Sequence, residues 1–323
     1  MSEARSHRLR RYATYASVSV SLTLILAKLA AYLATDSVSI LSSLIDSSTD
    51  MMASVVTLLG VRTALRPPDE AHRFGHGKAE ALAALAQAAF IGGSALFLTI
   101  EAVRRLVTPQ PVGEGAVGIA VMLLSILLTA GLITFQRHVV TATGSVAVGA
   151  DRLHYSGDLL MNAAVILAIL LTGWTGISAF DPLFGLGIAA FLLYGARKVA
   201  REALNVLMDR ELPAEERERI VALVEAQQDV AGMHDLRTRS SGVGAFIELH
   251  LELDPALSVA RAHDITDRVE DRLKDAFPGA EVMIHQEPAG LQDDRLDHRI
   301  ADGQSVGGQS ADGQSPGGPG VAE

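Results

Sequence analysis

Six stretches of this 323-residue chain are long and apolar enough to cross a lipid bilayer, and two of the six carry acidic pairs that lipid would not tolerate. They run approximately from Tyr12 to Ala34, Ser37 to Val61, Ala79 to Val107, Val112 to Phe135, Ser145 to Leu171 and Phe180 to Val199. A span takes about 20 helical residues, and in lipid the backbone must satisfy its own hydrogen bonds, so the expected architecture is an α-helical bundle. In the second span Asp46 and Asp50 stand four apart, and in the fifth His154 and Asp158 repeat that spacing. Residues at i and i+4 share one helix face. Ionisable groups inside a span must face the bundle interior or water, and they mark a function by default. Three carboxylates and an imidazole facing one another across a bundle make a four-ligand cage for a divalent cation of the zinc type. Gly157, next to Asp158, has no side chain and lets a neighbouring helix approach.

Composition narrows the chemistry. There is no cysteine, so any metal site must use His, Asp, Glu or backbone oxygen. Most of the net charge of -10 lies between Asp209 and Pro288, where 18 Asp and Glu face 9 Lys and Arg. That acidic balance disfavours nucleic acid as a partner and suits cations. The arginines at 5, 8, 10 and 11 precede a long apolar run with no evident cleavage site, unlike a cleaved signal peptide. Arg62, Arg66, Arg73 and Lys78 follow the second span, and Arg197, Lys198 and Arg201 follow the sixth. By the positive-inside rule these loops and both termini are cytoplasmic, with only Arg104 and Arg105 against the pattern. The bilayer is then the cell's inner membrane, crossed several times. Lys28, within the first span, either snorkels or faces a polar interior.

From Leu212 the pattern becomes that of a small soluble domain. Pro213 with Glu215 and Glu216 suits a helix start. FIELHLEL then alternates, with Ile247, Leu249, Leu251 and Leu253 on one face and Glu248, His250 and Glu252 on the other, as a half-buried strand requires. A strand over His234 to Arg239, a helix over Ser258 to Phe277 and a last strand EVMIH complete an αββαβ order, an α+β domain of metallochaperone-like type. The expected division is a cytoplasmic N-terminus at 1–11, a transmembrane domain at 12–207, a cytoplasmic domain at 208–288 and a disordered Gly/Ser/Gln tail at 289–323, in which ADGQS occurs twice.

Two further clusters could hold metal. Asp69, His72 and His76 fall in the loop after Pro67 and Pro68, and the soluble domain holds His234, His250, His263 and His285 with Gln286 and Glu287 beside the last. Seven of the ten histidines lie in these clusters or in the membrane pair, which favours reading them together.

The run SVSILSSLIDSSTD, the loop DEAHRFGHGKAE, the pair HYSGD, the stretch MDRELP, and then HDLRTR, IELHLEL and IHQEP resemble the cation diffusion facilitator family, in its bacterial zinc and ferrous-iron efflux branch. The resemblance spans roughly Arg8 to Pro288. It implies a transport site at Asp46, Asp50, His154 and Asp158, a loop site at Asp69, His72 and His76, and a cytoplasmic binuclear zinc site at a dimer interface using His234, His250, His263 as a bridge, His285 and position 287. The family pattern has Asp at that last position and this chain has Glu287, one methylene longer. It also implies a homodimer and a charge interlock between Lys78 and Asp209.

A cage of carboxylates and neutral imidazole holds a cation only when deprotonated, so metal and protons compete for the same atoms. An ordinary imidazole titrates near neutrality, which makes His154 the natural exchangeable group. The expectation is a Zn2+ efflux transporter that uses protons as counter-ion and works by alternating access, with regulatory zinc sites in the cytoplasmic domain. Export of iron(II), cadmium or manganese is the neighbouring alternative. From other classes, an intramembrane metalloenzyme would need an open coordination position and a motif such as HExxH, which the chain lacks. A non-transporting metal sensor would bind without flux.

Overall fold

The computed structural model describes residues 3–108, 115–291, 295 and 297. They fold as two compact units. One holds the chain up to Leu212 with the short segments Arg239–Phe246 and Phe277–Ala280; the other holds the remainder of the C-terminal part.

Six helices make up the first unit: α1 (Glu3–Thr35), α2 (Val38–Ala64), α3 (Lys78–Val107), α4 (Ala116–Thr143), α5 (Val146–Thr175) and α6 (Phe180–Leu207). All six are long and apolar enough to cross a membrane. The helices outrun the predicted spans where charge begins. α1 starts nine residues before Tyr12, α4 continues past Phe135, and α6 continues past Val199. Charge ends an apolar run, but Arg, Lys and Glu are good helix formers, so a helix stops only where its cap is. α4 stops at Gly144 with φ 64, and α5 then starts under Ser145, whose Oγ accepts from the backbone N–H of Val148 at 3.2 Å.

Buried polar contacts tie the bundle together. Arg10, which the spans left outside the membrane part, is 4% exposed and pairs with Glu80 of α3 at 2.6 Å. Glu80 also accepts from Ser145 Oγ at 2.5 Å, and Arg10 donates to the Thr143 carbonyl at 2.7 Å, so one ion pair joins α1, α3 and the α4–α5 corner. Close backbone approach does the rest. A Cβ on Gly60 of α2 would lie 2.3 Å from the Cβ of Ala83 in α3, so only glycine fits there. A Cβ on Gly157 would stand 2.8 Å from Leu192 of α6, the close approach expected from the sequence. Arg104 and Arg105, the exceptions to the charge pattern, are not free charges. Both pair with Glu101, and Arg105 also reaches Asp181 at 3.1 Å.

The C-terminal part carries α7 (Ala214–Glu225), β1 (Gly232–Ser240), β2 (Ala245–Leu253), α8 (Val259–Ala276) and β3 (Glu281–Pro288), the order expected, and most of it lies in the second unit. The strands form one sheet in the order β1-β2-β3. Period-2 alternation sends Ile247, Leu249, Leu251 and Leu253 inward, and they are at most 3% exposed. Ile265, Val269 and Leu273 of α8 and Ile220 and Val224 of α7 are buried as well. Burying such side chains stabilises by about 1.5 to 3 kcal/mol each. Glu248, His250 and Glu252 are left on the other face, half-buried.

Two described residues of the expected tail, Arg295 and Asp297, contact β1 and β2. Arg295 donates to Glu252 at 2.8 Å, and Asp235 and Asp297 exchange backbone-to-carboxylate hydrogen bonds at 2.9 Å. The segment around them is charged and apolar, LQDDRLDHRI, and unlike the ADGQS repeats. Those repeats lie outside the described residues.

Candidate metal centre

Asp46 and Asp50 sit on α2, His154 and Asp158 on α5, each pair one helical turn apart. Ligand atoms of Asp50, His154 and Asp158 all lie within 4.8 Å of one another. His154 Nε2 is 2.9 Å from Asp50 Oδ1 and 3.7 Å from Asp158 Oδ2. Asp46 stands outside this close trio but lines the same two cavities as Asp50 and Asp158. The larger, of about 470 Å³, lies among α2, α3, α5 and α6 and is walled mainly by apolar groups such as Ile91, Phe97 and Leu192, with Glu101 among them. The smaller, of about 120 Å³, is lined by hydroxyl groups including Ser21, Ser43, Ser47 and Thr129. One imidazole and clustered, part-buried carboxylates beside this cavity form a donor set for a borderline or hard divalent cation.

Beneath the trio lies a residue that sequence reasoning missed. Asp151, one turn before His154, is 1% exposed and is the meeting point of five helices. It accepts from Ser17 Oγ of α1 at 2.5 Å, Gln136 Nε2 of α4 at 2.7 Å, Gln87 Nε2 of α3 at 3.1 Å and Ser54 Oγ of α2 at 3.4 Å. Tyr155, buried beside it, shares hydrogens with Ser54 and Ser21 at 2.8 and 2.5 Å. This network anchors the α5 turn that carries His154. The signal was available: Asp151 is a third ionisable residue on the face of His154 and Asp158.

The loop cluster also comes together. Asp69 Oδ1 is 3.2 Å from His72 Nδ1, Asp69 Oδ2 is 3.2 Å from His76 Nε2, and the two rings are 4.6 Å apart. The backbone N–H groups of His72 and Ala71 donate to Asp69 at 2.7 and 3.0 Å, a turn that aims the carboxylate at the rings. The hydrogen bond from the His72 N–H holds the Asp69 carboxyl below the usual carboxylate range.

In the second unit Glu287 gathers three histidines. It lies 2.7 Å from His250 Nδ1, 3.3 Å from His234 Nε2 and 3.5 Å from His285 Nε2. Two members of the predicted set are not brought there. Strand alternation turns Gln286 to the opposite face of β3 from His285 and Glu287. His263 is on α8 with its side chain 68% exposed and pairs with Asp267 one turn on, at 3.4 Å. Glu252, two residues along β2 from His250, joins instead, 3.0 Å from His234 Nδ1. The alternation of β2 already put Glu252 on the histidine face.

Lys78 and Asp209 pair at 2.9 Å, joining the start of α3 to the residue after α6, and Arg239 stands 3.4 Å from the same carboxylate. Partial burial pushes the Asp209 carboxyl up, but the Lys78 ammonium and the Arg239 guanidinium outweigh it, and the group is held below its usual range.

The chain is similar to known proteins over most of its length. Residues 14–208 match the family described as the cation efflux transmembrane domain, and residues 212–289 match the cation efflux protein cytoplasmic domain. The chain is 47% identical over 284 residues to the cation-efflux pump FieF of Klebsiella pneumoniae, covering 88% of this chain and 94% of that one. It is 48% identical over 284 residues to FieF of Cronobacter sakazakii, with the same coverage. Among solved structures, the metal-bound C-terminal domain of the CzcD transporter from Thermotoga maritima is 30% identical, covering 25% of this chain and all of that one, with a TM-score of 0.24.

Proposed function

The chain belongs to the cation efflux family, a multi-pass membrane transporter of metal cations and not an enzyme, and from that premise we propose that its cargo is zinc, exchanged for protons at Asp46, Asp50, His154 and Asp158. The convergence of Asp50, His154 and Asp158 between two helices, beside a cavity of about 470 Å³, carries the reading. A cation arriving at these atoms displaces protons from them, and protons arriving from the other side displace the cation. Alternating access then needs only two bundle arrangements with the site open to opposite sides. Iron(II) is the second reading, because the donors are mostly carboxylate oxygens.

By the distribution of arginine and lysine, both termini are cytoplasmic in the inner membrane. Residues 12–207 form the transport domain and 208–288 the cytoplasmic domain of a homodimer. Asp69, His72 and His76 form a surface metal site. His234, His250, His285 and Glu287 supply three nitrogens and a carboxylate, a set suited to zinc, and Glu252 orients His234 through its other ring nitrogen, a common second contact for a ligating imidazole. Metal held there regulates transport by favouring one arrangement of the dimer.

Purified protein in liposomes should move zinc when a pH gradient is imposed and stop when an ionophore collapses it. Zinc flux indifferent to the gradient would end the antiport reading; gradient-driven flux of iron(II) without zinc would establish the second.

The Lys78–Asp209 pair supports the dimer. Lys78→Asp should reduce intersubunit crosslinking, and adding Asp209→Lys should partly restore it; no rescue would remove the interlock. Because the Asp209 carboxyl is held below its unfolded value, this contribution is full above about pH 4 and is lost as pH falls through the depressed value. Both side chains are over a third exposed, so salt should weaken it too.

A further inference from the structure

Lys28, a second buried charge of α1 beside Arg10, takes no part in the transport site as proposed. It is 7% exposed, although an ammonium inside a membrane bundle is expensive unless anions balance it. Its hydrogen bonds go to neutral oxygens: Nζ donates to Ser47 Oγ at 2.6 Å and to the Ser43 carbonyl at 3.1 Å. The balancing anions are beside those oxygens. Ser43, Asp46, Ser47 and Asp50 recur at i, i+3, i+4 and i+7, one face of α2, so the ammonium docks on the face that presents the acidic pair. Lys28 also lines the cavity of about 120 Å³ together with Asp46, Asp50 and Asp158. Ser125 lines it as well, 1% exposed and with no hydrogen-bond partner for its hydroxyl among the described residues, so this wall is polar and incompletely satisfied.

We propose that Lys28 is a tethered counter-ion of the transport site, held on α2 by Ser43 and Ser47. The proposal rests on the reading of Asp46, Asp50, His154 and Asp158 as that site. With no divalent cation bound, the ammonium offsets the mutual repulsion of the carboxylates. With one bound, the two positive charges repel at close range, and the loaded state rises relative to the empty one. Lys28 therefore sacrifices affinity for release, the step that often limits turnover. A lysine that merely glued α1 to α2 would do the reverse, since its removal would loosen the site.

The opposite signs decide the test. Zinc affinity is measured in detergent by dye competition, taking the component that Asp50→Ala abolishes, and flux is measured in liposomes. Lys28→Met and Lys28→Gln should each bind zinc about tenfold more tightly while maximal flux falls about threefold or more, and Lys28→Arg should stay near the native values. Should Lys28→Met fail to fold by size exclusion, Lys28→Gln, which keeps a donor for Ser43, carries the measurement. Unchanged or weaker affinity in the neutral variants overturns the counter-ion, as does Lys28→Arg behaving like them. If the native chain has no zinc binding that Asp50→Ala removes, the transport site itself fails, and the counter-ion falls with it.

Discussion

Asp50→Ala should reduce gradient-driven zinc flux by about two orders of magnitude or more, since even outer partners of a metal ligand are worth about 10- to 100-fold. Asp50 is the bridge between the two helices of the site: its Oδ1 lies 2.9 Å from His154 Nε2, and no other carboxylate among the described residues stands closer to that nitrogen. Removing it leaves His154 and Asp158 on one helix with nothing on α2 except Asp46, which lies outside the close trio. The variant should still fold, because the Asp50 side chain takes no part in the Arg10–Glu80 and Asp151 networks, and the inter-helix contact it loses is the one with His154. Its elution and melting in detergent should therefore match the native chain. Flux within about threefold of native would move the cargo site away from Asp50 and return the question to the loop and soluble-domain clusters.

Asp151→Ala should do the opposite, failing in stability before it fails in transport. Four donors from four other helices converge on this carboxylate. A buried donor stripped of its acceptor costs about 1 to 3 kcal/mol, and the lost side chain adds a cavity, so a loss of about 4 kcal/mol or more is expected. Asp151→Asn keeps one acceptor oxygen but turns an amide N–H₂ toward Ser17 and Gln136, and should fall between the two. Melting temperature in detergent and yield from the membrane read the effect directly. An Asp151→Ala protein that melts with the native chain would show that water replaces the carboxylate at no net cost, and would remove the anchoring role given to it here.

Much of this protein was legible before any coordinate. Spans were readable because lipid imposes a length and a composition on any helix that crosses it, and the acidic pairs stood out because lipid excludes them. The strand FIELHLEL was readable because its period of two is unambiguous over eight residues. Helix ends were not, since α1, α4 and α6 run on through charged turns that hydropathy takes as boundaries. Local rules also missed partners distant in sequence, such as Arg10 with Glu80 and Lys28 with Ser43 and Ser47.

The site divides in the same way. Spacing along one helix is a local property, so Asp46 with Asp50, and His154 with Asp158, were determined by sequence alone, as was the histidine-bearing face of β2. Which of these groups meet is a matter of how the helices rotate and cross, and that was decided by close packing at Gly60 and Gly157 and by the hydrogen bonds gathered at Asp151. Tertiary structure brought Asp50 to His154 and left Asp46 a turn away, drew Glu287 to the histidines, and kept His263 out on α8, whereas strand periodicity alone put Glu252 beside His250 and turned Gln286 away. The physical reason is range: helix and strand periodicity act over a few residues, whereas packing selects among faces contributed by segments a hundred residues apart.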